Sequence, residues 1–151
     1  MSIRQRDYIL RMIEQLSEAI ARIAGARGAG KHEEALLIVR ETADGILGPM
    51  RSMVEALDSA SAAVLLSSAE KVGAYAALVA EEAATREAMG EARGASAGYR
   101  RALELYLESA RMAMGGTTDA RAQEAIGRLR GKVDERRLGA RYQEALASLG
   151  K

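Results

Sequence analysis

Apolar residues recur along most of the chain at steps of three and four, the spacing that places them on one face of an α-helix. The first such stretch predicts a helix over 3–24. Three glycines within 25–30 then predict a turn, because each glycine raises the entropic cost of continuing the helix. A second helix is expected over 31–47 and ends at Gly48 and Pro49. The stripe on the first helix consists of Ile9, Ile13, Leu16, Ile20 and Ile23.

The middle of the chain follows the same pattern with shorter segments. A short helical segment is expected over 50–57, and 59–68 is compatible with either a short helix or a loop. Ser67 and Glu70 have the spacing of a capping box, in which each side chain bonds a backbone N–H at a helix start. A long helix to about residue 89 is therefore predicted after them. Glycines four apart over 90–98 predict the next inter-helix turn.

Three more helices are predicted after that turn. The first carries Tyr99 and ends at the glycines of 115–116, Thr118 or Asp119 caps the second, and the third begins at about Asp134. No alternating run is long enough for a strand. We therefore expect one all-α domain over the whole chain, with about six to eight helices paired as antiparallel hairpins. The residues expected to face inward on the last two helices are Ala122, Ile126, Leu129, Val133, Leu138, Tyr142, Ala145 and Leu149.

One five-residue unit occurs three times: a ring side chain, two polar residues, then alanine and leucine. A ring and an alanine three positions later lie on one helical face, where the ring projects and the alanine leaves room for another helix. These units are therefore expected to pack paired helices against one another. The ring and alanine positions are His32 and Ala35, Tyr99 and Ala102, and Tyr142 and Ala145.

Two of these units extend to a longer resemblance. Segments 30–36 and 98–106 resemble the inter-helix turn and second helix of the tetratricopeptide repeat (TPR), with Tyr106 at its later aromatic position. The opening segment, 7–16, is similar to the start of an uncharacterised group of bacterial helical proteins that carry such repeats. The resemblance implies a degenerate TPR-like stack of helical hairpins that binds proteins or peptides and carries no chemistry of its own.

The amino-acid composition excludes several classes of function. The chain has no Cys and one His, which excludes disulfides, a thiolate nucleophile and a two-histidine zinc site. A net charge of +1 predicts no general attraction to nucleic acid or to anionic lipid. Arg4, Arg6 and Asp7 occupy the place where a signal peptide needs its apolar segment, and no later stretch has the length of a membrane span. We expect a cytoplasmic protein without cofactor or metal.

Charge is distributed unevenly along the chain. Residues 55–110 contain five basic and nine acidic side chains, whereas 119–151 contain eight basic and five acidic ones. No aromatic residue lies within the C-terminal basic run before Tyr142, and acidic residues interrupt it, so solvation or self-complementary assembly is favoured over nucleic-acid binding. The run consists of Arg128, Arg130, Lys132, Arg136, Arg137 and Arg141.

Three patterns suggest chemistry, and each has a structural interpretation that is favoured. Segment 25–32 matches the glycine and lysine positions of a phosphate-binding loop, but His32 stands where a hydroxyl must bind Mg²⁺, so a helix-hairpin turn is expected. His32 could act as a general base, yet it has no evident orienting partner and is interpreted as a packing ring. Glu81, Glu82 and Glu87 could bind a hard cation, but a solvated helix face is favoured.

Three hypotheses for function remain. The favoured one is a non-catalytic protein-interaction or assembly module with a protein or peptide partner. The second is a structural homodimer through the stripe from Ile9 to Ile23, which has heptad spacing for two heptads. The third is a small-ligand sensor or an enzyme with a cavity among the helices.

Overall fold

A computed structural model describes residues 2–113 and 120–149. Within these ranges the chain forms eight α-helices, two short 3-10 turns (Gly48–Met50 and Glu135–Arg137) and no strand, which confirms the predicted all-α class. The glycines at 115–116 and the caps predicted at Thr118 and Asp119 lie outside the described residues. The α-helices are α1 (Ile3–Gly28), α2 (His32–Leu47), α3 (Arg51–Ala56), α4 (Ser59–Leu66), α5 (Ala69–Ala88), α6 (Ala92–Met112), α7 (Ala120–Arg130) and α8 (Ala140–Leu149).

The turns that join α1 to α2 and α5 to α6 have the same construction. Gly30 and Gly90 have φ angles of 77° and 82°, which a residue with a side chain adopts only under strain. The N–H of Lys31 donates to the carbonyl of Ala26 at 2.8 Å, and the corresponding bond of the second turn is 2.9 Å long. Each turn thus satisfies the last carbonyls of one helix while it reverses the chain. The result is two tight helical hairpins.

The structure corrects the expected turn over 90–98. Only Gly90 lies in the turn, whereas Gly94 and Gly98 lie inside α6. A Cβ atom on Gly98 would lie 2.8 Å from the Cβ of Ala83, so this glycine lets α6 approach α5 closely. Consequently the unit that starts at Tyr99 does not follow an inter-helix turn, although the unit that starts at His32 does.

Helix starts also differ from the expected ones. Ser68 caps α5, because its hydroxyl accepts the N–H of Lys71 at 3.2 Å. Ser67, the predicted cap, ends α4 in the left-handed conformation at φ 54°. The ambiguous segment 59–68 therefore contains a helix, which Asp58 caps by accepting the N–H of Ser61 at 2.7 Å.

The last helix begins later than predicted. Asp134 caps a 3-10 turn and the last helix begins only at Ala140. Leu138 is buried ahead of that helix, but Leu149, expected to face inward, is 40% exposed. Val133 lies beyond α7 and is half-buried. The start of the predicted helix is thus replaced by a 3-10 turn, after which Leu138 enters the core.

The α5–α6 hairpin is the centre of the molecule. One cluster of buried apolar side chains joins α5 to α1, α2, α3 and α4, and a second joins α5 and α6 to α7 and α8. Val79 and Tyr106 contact both clusters. Burial of this apolar area is the main stabilising term for such a fold. The remaining helices are therefore held in place by this hairpin.

Candidate functional site

An apolar groove runs between α1 and α7 and has α5 and α6 as its floor. Its volume is about 470 Å³. Ile13, Leu16 and Ile20 form the α1 wall and are only half-buried. The floor is made of small residues, which leave backbone close to the surface: Gly73, Ala74, Ala77 and Ala110. The charged side chains along the groove are Glu70, Arg121, Glu124 and Arg128.

The stripe predicted on α1 divides between this groove and the core. Ile23 is fully buried, together with Met12 and Ala19 on the same helix. Ile9 is half-buried at the N-terminal end of the helix, where it lines an adjoining depression beside the start of α5. The other stripe residues line the groove. A single apolar stripe on α1 therefore serves both internal packing and an accessible surface.

The three repeated units occupy different settings. The Tyr99 ring is buried on α6, the Tyr142 ring is half-buried on α8, and His32 is half-buried as the first residue of α2. The Nδ1 atom of His32 is buried and has no hydrogen-bond partner within the described ranges. Ala35 and Ala102 are fully buried. Ala145 is half-buried against the second cluster, and Tyr106 faces the groove.

Tyr99 is fixed by polar partners that the repeat does not predict. Its hydroxyl donates to Glu87 at 3.1 Å, and the Nζ of Lys132 lies 5.5 Å from the ring centroid. Lys132 also donates to Glu87, at 3.1 Å. Burial and the bond to Glu87 raise the pKa of Tyr99 to about 12. The phenol is thus a protonated donor that ties α6 to the end of α5.

A buried carboxylate attaches α8 to α6. The side chain of Glu108 is 4% exposed and accepts two bonds from Arg141, both 2.7 Å long, and one from the hydroxyl of Tyr142 at 2.8 Å. Burial alone would raise the pKa of Glu108, but these bonds outweigh it and hold the pKa below its ordinary value. Glu108 lies three residues after Leu105, on the buried face of α6. A charged residue on that face is the only feature of the sequence that indicates this contact.

The acidic residues interpreted as a solvated face are partly exposed, with 21%, 40% and 51% of the side chains of Glu81, Glu82 and Glu87 accessible, and each has a cationic partner. Glu81 accepts from Arg27 of α1 at 3.0 Å, and the same guanidinium donates to Thr85 at 3.4 Å. Glu82 pairs with Arg86. The Glu81–Arg27 pair joins α5 to α1, whereas Glu82 and Arg86 both belong to α5. No group of three or more potential metal ligands occurs within 2–113 and 120–149.

Every member of the C-terminal basic run has a carboxylate partner within 4 Å. The pairs are Arg128 with Glu124, Arg130 with Glu135, Lys132 with Glu87, Arg136 and Arg137 with Asp134, and Arg141 with Glu108. Most of these pairs are exposed and contribute little to stability. They nevertheless neutralise the run locally.

Comparison with known proteins gives no relative: no family model, curated sequence or solved structure matches the chain. In the part of the chain that the structure covers, none of the helices has both the length and the apolar character needed to cross a bilayer.

Proposed function

We propose that the protein is a non-catalytic interaction module whose groove binds apolar side chains of a helical segment of a partner protein. The row of half-buried Ile13, Leu16 and Ile20 above a floor of glycine and alanine carries this proposal. A small-residue floor admits close approach of a second helix, and aliphatic walls supply the apolar area that anchors it. The stacking of two tight hairpins supports a TPR-like mode of binding, and we retain a cytoplasmic setting.

The position of the charges favours a protein partner over a small ligand. Glu70, Glu124 and Arg128 lie beside an apolar floor, as polar residues do at the rim of a protein interface. The volume of about 470 Å³ also suits a small apolar molecule, which is the competing occupant. A partner helix would cover the whole α1 wall of the groove, whereas a small ligand would leave part of that wall exposed.

The test is affinity capture from the native extract with three immobilised forms. Ile13→Glu places a charge in the groove wall, and Leu37→Glu makes the same kind of change at a 50% exposed position on α2, outside the groove. We expect wild type and Leu37→Glu to retain the same protein, and Ile13→Glu to lose it. Equal retention by all three forms would reject the groove as the binding surface. Circular dichroism of each form checks that the helices persist.

A homodimer through α1 is the second candidate, and one observation favours it. α1 has 26 residues and α2 has 16, so the start of α1 extends past its hairpin partner. Ile3 and Leu10 lie seven residues apart there and are 80% and 53% exposed. Such a spacing suits a short helix–helix contact between two copies.

Sedimentation equilibrium decides between the two candidates. Dimerisation through α1 predicts a dimer for wild type and a monomer for Leu10→Glu. A monomer at every wild-type concentration would exclude the homodimer and leave the partner-binding proposal intact. The same experiment on Ile13→Glu shows whether the groove takes part in self-association.

A further inference from the structure

The C-terminal helix α8 buries little of its surface. Among its ten residues Leu146 alone is buried, whereas α6 buries eight of its 21 residues. Tyr142 and Ala145 are half-buried on α8, and Leu149 is 40% exposed. Because the free energy that holds two helices together scales with the apolar area removed from water, α8 is held weakly.

α8 also leaves a gap where it faces α6, the main helix that it contacts. The volume of this gap is about 590 Å³. Leu107, Ala110 and Arg111 line it on α6, and residues between Ala140 and Leu149 line it on α8. Packed helix interfaces leave few voids larger than a water molecule, so this side of α8 makes no close packing with α6.

The contact that fixes the position of α8 is an ion pair with one buried partner. The side chain of Glu108 is 4% exposed, whereas that of Arg141 is 45% exposed. Removal of a carboxylate from water is costly, and the bonds from Arg141 and Tyr142 offset that cost. Both partners belong to α8, so Glu108 regains water when α8 separates. The pair therefore adds less to stability than three short bonds suggest.

Leu138 marks the point up to which the chain is held. It is 4% exposed and belongs to the second cluster of buried side chains. A Cβ atom on Gly139 would meet no atom within 4 Å, so the residue that follows is not packed. The side chain of Gln143 donates to the carbonyl of Leu138 at 2.7 Å, a local bond at the first turn of α8. A change of backbone angles near Gly139 is therefore enough to separate α8 from α6.

We propose that α8 is a detachable helix that opens from α6 as one unit, with its pivot near Gly139, while the core helices stay folded. Opening uncovers Leu107 and the carboxylate of Glu108. The gap adjoins the groove at Ala110, which lines both, so the open state enlarges the accessible surface of α6 beside the groove. The opening does not rest on the function proposed for the groove, because the protein undergoes it without a partner.

The test is amide hydrogen exchange of the full chain, followed residue by residue by NMR spectroscopy at neutral pH. We expect the amides of 144–148 to be at least about tenfold less protected than those of α5 and α6, and to share one protection factor, because a single opening exposes them together. Low urea concentrations should change their exchange little, since the opening exposes little surface.

Three variants complete the test. Glu108→Gln should speed exchange of the α8 amides about fivefold, and Leu146→Ala at least about tenfold, because each removes a contact with the core. Glu124→Gln alters an exposed pair on α7 and should leave these amides unchanged. Protection of α8 equal to that of α6 would overturn the proposal, since α8 would then separate only on global unfolding. Protection that declines steadily toward Leu149 and ignores Glu108→Gln would also overturn it, because the helix would then fray from its end.

Discussion

The groove and a second cleft, the arginine cleft between α2, α3, α5 and α6, have similar volumes but opposite construction. The groove has a floor of glycine and alanine, and its polar side chains stand beside this floor. The cleft has guanidinium groups within it, and these also hold the structure together, since Arg101 bonds the end of α3 and Arg51 bonds Asp44 of α2. A surface change in the groove should therefore affect binding alone, whereas the loss of an arginine that bonds other elements in the cleft should affect stability.

Arg101→Gln should give the largest loss of stability. The carbonyls of Val54 and Leu57 and the hydroxyl of Tyr75 would all lose their donor in a partly buried place. We expect the free energy of unfolding to fall by about 3 kcal/mol, measured by urea denaturation. Arg40→Gln is the matched control in the same cleft and should change it by less than about 0.5 kcal/mol.

Equal effects of the two arginine variants would remove the distinction between the groove and the cleft. The cleft would then be a surface of ordinary solvated cations, and its arginines would have no role in fixing α3. The groove variant Ile13→Glu is the reference, because it should weaken binding strongly and change the free energy of unfolding less.

Gly98→Ala tests the close approach of the two central helices that both surfaces share. The added Cβ would lie 2.8 Å from the Cβ of Ala83, so one helix must move. We expect a loss of about 2 kcal/mol in the free energy of unfolding, the usual cost of overpacking. In Gly127→Ala the new Cβ meets no atom within 4 Å, and this α7 variant should be up to about 1 kcal/mol more stable.

Because Gly98 lines the cleft and not the groove, its substitution also compares the two surfaces directly. Lower stability with unchanged binding at the groove is the expected pattern. If Gly98→Ala were as stable as wild type, α5 and α6 could move apart slightly at no cost in stability. The central hairpin would then not be the rigid element on which both surfaces depend.

The sequence predicts the groove side better than the cleft side. The isoleucine stripe and the turn at Gly30 follow from local periodicity and from glycine, so α1, α2 and one groove wall are predictable. The bonds of Arg101 to Val54 and Leu57 span more than 40 residues, and no local pattern indicates them. Glycine spacing was misleading at Gly98, because glycine in a helix interior can serve helix packing as well as a turn.

The three copies of the five-residue unit have different surroundings in the structure, and the same reasoning explains why. Ring-to-alanine spacing fixes which side chains share a helical face, but it does not fix what lies opposite that face. Tyr99 meets Glu87 and Lys132, whereas Tyr142 meets Glu108. These partners come from other parts of the chain, so their identity depends on tertiary packing.

Glu108→Gln should have the smallest effect at neutral pH and a distinctive dependence on pH. The carboxylate lies on α6 outside the residues that line the groove or the cleft, and the variant should leave binding at the groove unchanged. Its pKa is below the ordinary value near 4.5 in the folded protein, so the ionised form adds stability above that value. This contribution is lost as the pH falls through the folded-state pKa.

Wild type should therefore lose more stability than Glu108→Gln between about pH 5 and about pH 3, with a difference of about 1 kcal/mol near neutrality. Urea denaturation across this pH range measures both curves. Glu124→Gln, on an exposed pair with Arg128, should follow wild type, since solvent screens that pair. Parallel curves for wild type and Glu108→Gln would mean that Arg141 and Tyr142 do not hold the ionised carboxylate. The attachment of α8 would then rest on apolar contacts such as that of Leu146, and the Glu108–Arg141 pair would have no energetic role.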